Sequence, residues 1–165
     1  MRRNTNHDGF TLIELMLVVQ VIAILVALAM PSLIRARVSA NEASAASSMR
    51  LISMSQASFK ASRFVDAADN GEGDYATLEQ LHNPDEQGEL LAFIDSHLAA
   101  GLKNGYEFEV EVILGGPDTA PAYEAFATPI TPFRSGVRRF YVDEESVIRF
   151  TADGTPPGSN STPLN

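Results

Sequence analysis

Residues 10–30 read FTLIELMLVVQVIAILVALAM, an apolar run of twenty-one residues whose polar members are Thr11, Glu14 and Gln20. As a helix rising 1.5 Å per residue such a run spans about 30 Å, the thickness of bilayer hydrocarbon. It is longer than the apolar core of a cleaved secretory signal, and it passes through Pro31 into further helix-compatible sequence rather than ending at a small-residue cleavage site. The simplest reading is an anchor holding a periplasmic or extracellular domain. Arg2 and Arg3 before the run are matched by Arg35 and Arg37 after it. Flanking charge alone therefore does not orient the segment. The short amino-terminal tail is easily kept in the cytoplasm, which makes the large acidic remainder the translocated part. Glu14 is the anomaly, because an unpaired charge inside a bilayer costs roughly 2.5 to 3.5 kcal/mol or more.

The remaining sequence bounds one modest core within 165 residues. With no cysteine, neither a disulfide framework nor a thiolate metal site is available, so stability rests on packing. The formal charge is -9 and unevenly spread. From Val65 to Glu124 there are fourteen acids against one base, Lys103, whereas Arg35 to Arg63 holds five bases against Glu42. A basic footprint for nucleic acid is missing from the chain as a whole, and nucleic acid is not among the expected partners.

Past Pro31, which removes a backbone donor and is expected to bend the helix locally, helix-compatible sequence runs to about Phe64. With the apolar run this makes roughly 55 residues, about 80 Å. Of the twenty-seven residues from Ala36 to Ser62, fifteen are Ala or Ser, small enough for close helix approach. At 100° per residue Ile34, Val38, Met49, Ile52 and Phe59 share a face, with Leu33 and Leu51 a third of a turn away and Met54 further round. A distribution this wide suits either two packing partners, the chain's own head and other subunits, or one broad core face. Arg35, Arg50, Lys60 and Arg63 occupy a broad arc where a neighbour's acids or solvent would meet them.

After a polar, turn-rich connection, ELLAFIDSHLAA has helical spacing at Leu90, Leu91, Ile94 and Leu98. GYEFEVEVIL alternates, with Tyr106, Phe108, Val110 and Val112 facing one way and Glu107, Glu109 and Glu111 the other, as in a half-buried strand. AYEAFATP reads as another strand and RRFYVDEESVIRF as a hairpin turning at Asp143 to Ser146. The tail DGTPPGSNSTPLN is expected to be ordered where it packs. The expected class is α+β: a long amino-terminal helix, half of it transmembrane, packed on a small antiparallel sheet of three or four strands.

The segment GFTLIELMLVVQVIAILVALAMP resembles the amino terminus of type IV pilins and type II secretion pseudopilins: a short basic leader ending in Gly, then Phe, then Thr-Leu-Ile-Glu-Leu, with Pro near the end of the run. The head is similar more weakly, at YATLEQL, GLKNGYEFEV and FYVDEESVIRF, although relatives often carry Gly in the hairpin turn where this chain has Glu145-Ser146. The resemblance implies a pilin-like division into leader 1–9, membrane and filament-core helix 10–31, amphipathic helix 32–64 and head 65–165. It implies cleavage by a prepilin peptidase between Gly9 and Phe10 and methylation of the Phe10 amine. Removing two bases and one acid takes the formal charge from -9 to -10. The implied partners are identical subunits, the peptidase, an inner-membrane assembly platform and its ATPase, and the membrane itself before assembly. The implied location is the inner membrane as a single-pass precursor, then a surface pilus or periplasmic pseudopilus.

That processing accounts for Glu14. A free ammonium on Phe10 within the bilayer is relieved by a carboxylate partner. Within one chain the two lie one turn apart at i,i+4. In the family the Glu is thought to meet a neighbouring subunit's amine instead, which makes neutralisation an assembly signal. The second role is favoured, because alanine here would avoid the carboxylate cost altogether. The expected function is a major type IV pilin, with a type II secretion pseudopilin as the alternative and a monomeric membrane-anchored binding domain as a third reading.

Nothing in the sequence recommends catalysis. His7, His82 and His97 lack metal-ligand spacing, and no nucleophile motif or phosphate loop is present. Some relatives bind calcium near the carboxyl terminus, and Asp118, Asp143 and Asp153 lie in loops here, but calcium takes six to eight oxygens and no liganding spacing is recognisable. Solvated turn carboxylates, with no cofactor, are expected. Amino-terminal mass spectrometry of protein from cells with an active prepilin peptidase should find chains starting at a methylated Phe10. Finding chains that all begin at Met1 would return the segment to a plain anchor.

Overall fold

The computed structural model describes residues 10–67, 71–85, 92–116 and 119–164. Two units make up the chain, Met1–Ala36 and Arg37–Asn165. Helix α1, Leu12–Ser62, contributes its first half to one and its second half to the other. In the first unit the apolar residues are exposed, and an 18-residue window of α1 reaches a mean hydropathy of 2.8 with none of it buried. The helix is long and apolar enough to cross a membrane. Pro31 lies inside it.

In the second unit α1 becomes a core element. Ala45, Met49, Ile52, Gln56 and Phe59 recur at alternating steps of four and three, so they share one stripe, and all are buried. Burying Met49, Ile52 and Phe59 stabilises the head by about 1.5–3 kcal/mol each. The stripe begins later than the sequence suggests: Val38 is half-buried and Ile34 exposed. The helix also stops at Ser62, before Phe64, because Arg63 takes a left-handed backbone (φ 55) in the place a glycine usually fills. Phe64 then turns back onto Phe59 and Phe93, with ring centroids 5.5 and 6.5 Å away.

The chain leaves the helix through a polar crossing that is pinned from both sides. Buried Asp74 accepts hydrogen bonds from the Ala67 N–H and the Gly115 N–H, both at 2.7 Å, tying the crossing to the end of a strand. Gly73 passes so close to the end of α1 that a Cβ there would collide with the Lys60 carbonyl oxygen. Thr77 and Gln80 then form a reciprocal capping box that starts α2, Leu78–His82. Helix α3, Ser96–Ala99, is capped by Asp95, whose carboxylate accepts from His97 N–H and Leu98 N–H. The hydrogen-bonded Lys103 ammonium, 2.7 Å away, holds the Asp95 carboxyl below its usual range. This one-turn helix corrects the longer one expected from Leu90 to Leu98. Leu90 and Leu91 lie outside the described residues, Ile94 precedes the cap, and both Ile94 and Leu98 are buried.

The sheet has six antiparallel strands in sequence order, not three or four. They are β1 Leu102–Lys103, β2 Tyr106–Ile113, β3 Ala122–Pro129, β4 Arg139–Asp143, β5 Arg149–Thr151 and β6 Thr162–Pro163. Strand β2 keeps the expected alternation, with its three glutamates exposed and Tyr106 and Phe108 buried. On the inner face Phe108 pairs with Ala127 and Ala127 with Phe140, so a small residue separates two large ones. The extra strands are the two edges. Strand β1 joins β2 through Asn104-Gly105, both at positive φ (48 and 78), the Asn-Gly signature of a tight hairpin that strand-length reasoning passed over. The carboxyl tail supplies β6 on β5, and the Leu164 N–H donates to the Ile148 carbonyl. The β4–β5 turn closes with Ser146 N–H on the Asp143 carbonyl, and Ser146 takes the left-handed conformation (φ 61) expected of glycine.

The polar residues of α1 that face the head hold its loops: Ser55 and Gln56 the segments before the sheet, Asn41 and Glu42 the β3–β4 connection. Gln56, wholly buried, pairs with both backbone groups of Ala76: its amide donates to the carbonyl at 2.6 Å and its oxygen accepts the N–H at 2.9 Å. Replacing Gln56 with Ala strands two buried backbone groups as well as leaving a void, so it should cost about 2–4 kcal/mol. Gln56→Glu should also destabilise the head, because an acceptor would then confront the Ala76 carbonyl. Denaturant unfolding of the full chain in detergent, followed through the tyrosines, measures both.

Candidate functional site

The amino-terminal turn of α1 is built by Thr11. Its hydroxyl accepts the Glu14 N–H at 3.3 Å, satisfying one of the donors that a helix start leaves without a partner. The same hydroxyl donates to Glu14 Oε2 at 3.4 Å, and Leu15 N–H closes the turn on the Thr11 carbonyl. Thr11-Leu12-Ile13-Glu14 thus carries the S/T-x-x-E order of a helix start. Sequence reasoning fixed on Glu14 as a charge and missed Thr11 as the residue that orients it. A carboxylate in the first turn is also favoured by the positive end of the helix dipole.

Of the residues singled out from the sequence, Gly9 and the rest of the leader lie outside the described residues. Phe10 is 70% exposed and joined to Gly9 in this chain, so it carries no free amine for Glu14 to pair with. Glu14 is exposed, as is Pro31.

Further along, burial divides the broad apolar arc of α1. Met49, Ile52 and Phe59 go under the head, while Leu51 and Met54 stay outside, Met54 at 69% exposure. Small residues occur on both sides: Ala45, Ala46, Ser48, Ser53 and Ser55 are buried, Ala43, Ser47, Ala57 and Ser58 exposed. Beside Met54 an open groove of about 490 Å³ is lined by Arg50, Ser53, Ala57, Val147, Ile148 and Leu164. Of the basic arc, Lys60 sits over the Tyr75 ring at 4.7 Å.

Glu42, the lone acid of that basic stretch, holds the β3–β4 connection. Its Oε1 accepts Val137 N–H and Arg138 N–H, and its Oε2 lies 3.4 Å from the Arg138 guanidinium. Asn41 alongside donates to the Ser135 carbonyl at 2.8 Å. On the outer sheet face the buried Tyr141 hydroxyl donates to Glu124 at 3.0 Å, and burial raises its pKa above the usual tyrosine value. Asp143 and Asp153 each serve their own turns, accepting Glu145 N–H and Thr155 N–H, and Asp118 lies outside the described residues. Among the described residues no three His or acidic side chains gather as a metal site.

Residues 4–30 match the family model described as the prokaryotic N-terminal methylation motif, the signature of the prepilin-type segment of type IV pilins and pseudopilins. No curated protein and no solved structure matches the chain significantly. The match spans residues 4–30, through the apolar run, and the α+β architecture of long helix and antiparallel sheet is pilin-like. A prepilin-type motif implies peptidase processing and filament assembly in general, and it accords with a membrane-anchored precursor.

The geometry of the first turn makes its own demand. Thr11→Val removes the hydroxyl and should cost about 1 kcal/mol, appearing as faster hydrogen exchange at the Glu14 and Leu15 amides in detergent micelles. Thr11→Ser should restore protection.

Proposed function

We propose that this protein is a structural subunit of a helical filament, a major type IV pilin, made as a single-pass inner-membrane precursor. A prepilin peptidase removes residues 1–9 and the new amine of Phe10 is methylated. A platform protein and its ATPase then draw the subunit from the bilayer into a homopolymer at the cell surface, Pro31 marking where the helix yields. The observation that carries this reading is the prepilin-type motif at 4–30 with one acid, Glu14, set in an otherwise apolar helix. A helix that keeps Leu51, Met54 and several small residues uncovered supports it, because a polymer needs contact surface beyond what the subunit's own head uses. A type II secretion pseudopilin in a periplasmic filament has the same support and differs in its genomic neighbours: a secretin with secretion components rather than a retraction ATPase. A monomeric anchored domain would leave mature chains in the membrane with no filament to shear.

Glu14 decides between assembly and anchoring. In the polymer a neighbour's Phe10 ammonium is buried against it, and leaving that charge alone costs several kcal/mol by analogy with broken buried pairs, of which about 3–5 kcal/mol is typical. Glu14→Ala should therefore leave precursor inserted, cleaved and folded while sheared filaments vanish or become scarce. Glu14→Gln should be intermediate. Immunoblots of membrane-resident subunit and sheared filament from the same cells make the comparison. Normal filament yield from Glu14→Ala would defeat the assembly role.

A further inference from the structure

The head presents one end whose chemistry differs from the rest. The β3–β4 connection carries Ile130 and Phe133, 54% and 76% exposed, without an acid between Pro129 and Arg139. Phe133 adopts φ +64, a conformation rare for a bulky side chain, and is held there by its N–H on the Gly136 carbonyl at 2.8 Å. Thr131 and Ser135 close the loop through three further bonds, and Asn41 of α1 fixes the Ser135 carbonyl. A strained aromatic is thus displayed on a braced loop, where a partner outside the chain is the natural beneficiary.

Beside this tip lies a cleft of about 330 Å³ whose lining includes Arg37, Arg134, Asn41, Asn104, Thr131 and Ser135. Asn41 donates to the Ser135 carbonyl, Asn104 to the Ser44 hydroxyl and Ser135 to the Thr131 carbonyl, and the nearby Glu42 is engaged by Val137 and Arg138, so Arg37 and Arg134 are the charged donors of the cleft, with no carboxylate in its lining. Such a set suits a phosphate oxyanion. Arg37 stands seven residues past Met30, the last residue of the apolar run. At helical rise that is about 10 Å of chain, and in full extension about 25 Å. The cleft is therefore tethered within reach of the headgroup layer that borders the hydrocarbon. The acidic stretch from Val65 to Glu124 would be repelled by an anionic surface, whereas this end carries Arg37 and Arg134 with no acid between Pro129 and Arg139.

We propose that the Arg37–Arg134 cleft binds the phosphate of an anionic phospholipid headgroup, with Ile130 and Phe133 entering the interface beside it, in the membrane-resident subunit. The contact would hold the head against the bilayer until the subunit is extracted. It rests on reading residues 10–30 as a membrane span.

The chain has no cysteine, so Pro132→Cys, on the same loop but outside the cleft lining, supplies a sole thiol for a nitroxide. The labelled full chain is reconstituted in vesicles of phosphatidylcholine and of phosphatidylcholine mixed with phosphatidylglycerol. In the anionic vesicles the label should become accessible to oxygen and shielded from a water-soluble nickel reagent, and in phosphatidylcholine alone it should stay in water. Arg37→Gln and Arg134→Gln should each lower the ratio of inserted to free loop about fivefold, following the usual contribution of one basic residue near an anionic surface. Phe133→Gly should abolish insertion while leaving the melting temperature unchanged or raised, because it relieves the left-handed backbone. A label in water in both vesicle types overturns the proposal, as does equal insertion in both. Shielding that grows with protein density would assign the loop to a second copy, and cleft protection by inorganic phosphate with the label still in water would assign it to a free anion; either overturns the headgroup reading. Co-flotation of the chain with vesicles separates the premises: without it the membrane span fails and the proposal with it, whereas flotation with a water-exposed label defeats the proposal alone.

Discussion

A backbone in hydrocarbon has no water to satisfy its polar groups, and that constraint organises the chain. It leaves residues 10–30 a helix as their means of closing N–H on C=O, and it makes the helix start, where donors have no partner, the weak point. Thr11 answers it with one hydroxyl that serves both the Glu14 N–H and the Glu14 carboxylate. Glu14 is consequently placed twice over: near the positive end of a helix, and one turn from where cleavage would create an ammonium. On the proposed processing, a carboxylate tolerable in the precursor for the first reason becomes the counter-charge for the second.

In the head the same helix meets a different requirement. Its buried polar side chains do not face one another but reach backbone groups of segments distant in sequence. Gln56 takes both groups of Ala76, Ser55 reaches the Phe93 carbonyl, Glu42 the Val137 and Arg138 N–H groups, and Asn41 the Ser135 carbonyl. Loops have few neighbours able to satisfy them, and a small head without disulfides has limited apolar area with which to hold them. Polar side chains on a rigid helix do both jobs at once. The many Ala and Ser residues follow partly from this, since loops and strands must come close to α1 for such bonds to form.

What was legible beforehand was what a repeating pattern writes. The alternation of β2 and the apolar runs of β3 and β4 gave strands at the right places, and hydropathy gave the helix. Single-residue conformations were harder to see. Ser146 and Arg63 adopt left-handed backbones without being glycine, so the hairpin turn and the end of α1 lacked their usual marks. The two-residue strands β1 and β6 are too short for any periodicity, and Asn104-Gly105 was the local signal for the first of them. Gln56 and Glu42 read as ordinary polar members of a helix, because their partners lie twenty and ninety-five residues away. The amino-terminal motif was legible because its chemistry is local: Thr11, Glu14 and the apolar run fall within twenty-one consecutive positions.

Charge follows the same division between local and distant. The exposed glutamates of β2, at 107, 109 and 111, stand on the outer sheet face, and Glu124 of β3 is drawn from solvent by Tyr141. Bases stand along α1 and on the β3–β4 connection, where Arg37 and Arg134 share a cleft, and also on the strands, at Lys103, Arg139 and Arg149. If copies polymerise as proposed, the exposed glutamates of β2 in one and the bases along α1 in another offer complementary charge for a contact that need not close a ring. Heterologous contacts of that kind extend indefinitely. They are also screened by salt, with a Debye length of about 8 Å at physiological ionic strength. In a polymer of the proposed kind such charges would steer and register subunits as they add, and the apolar helix, which salt does not weaken, would hold them together.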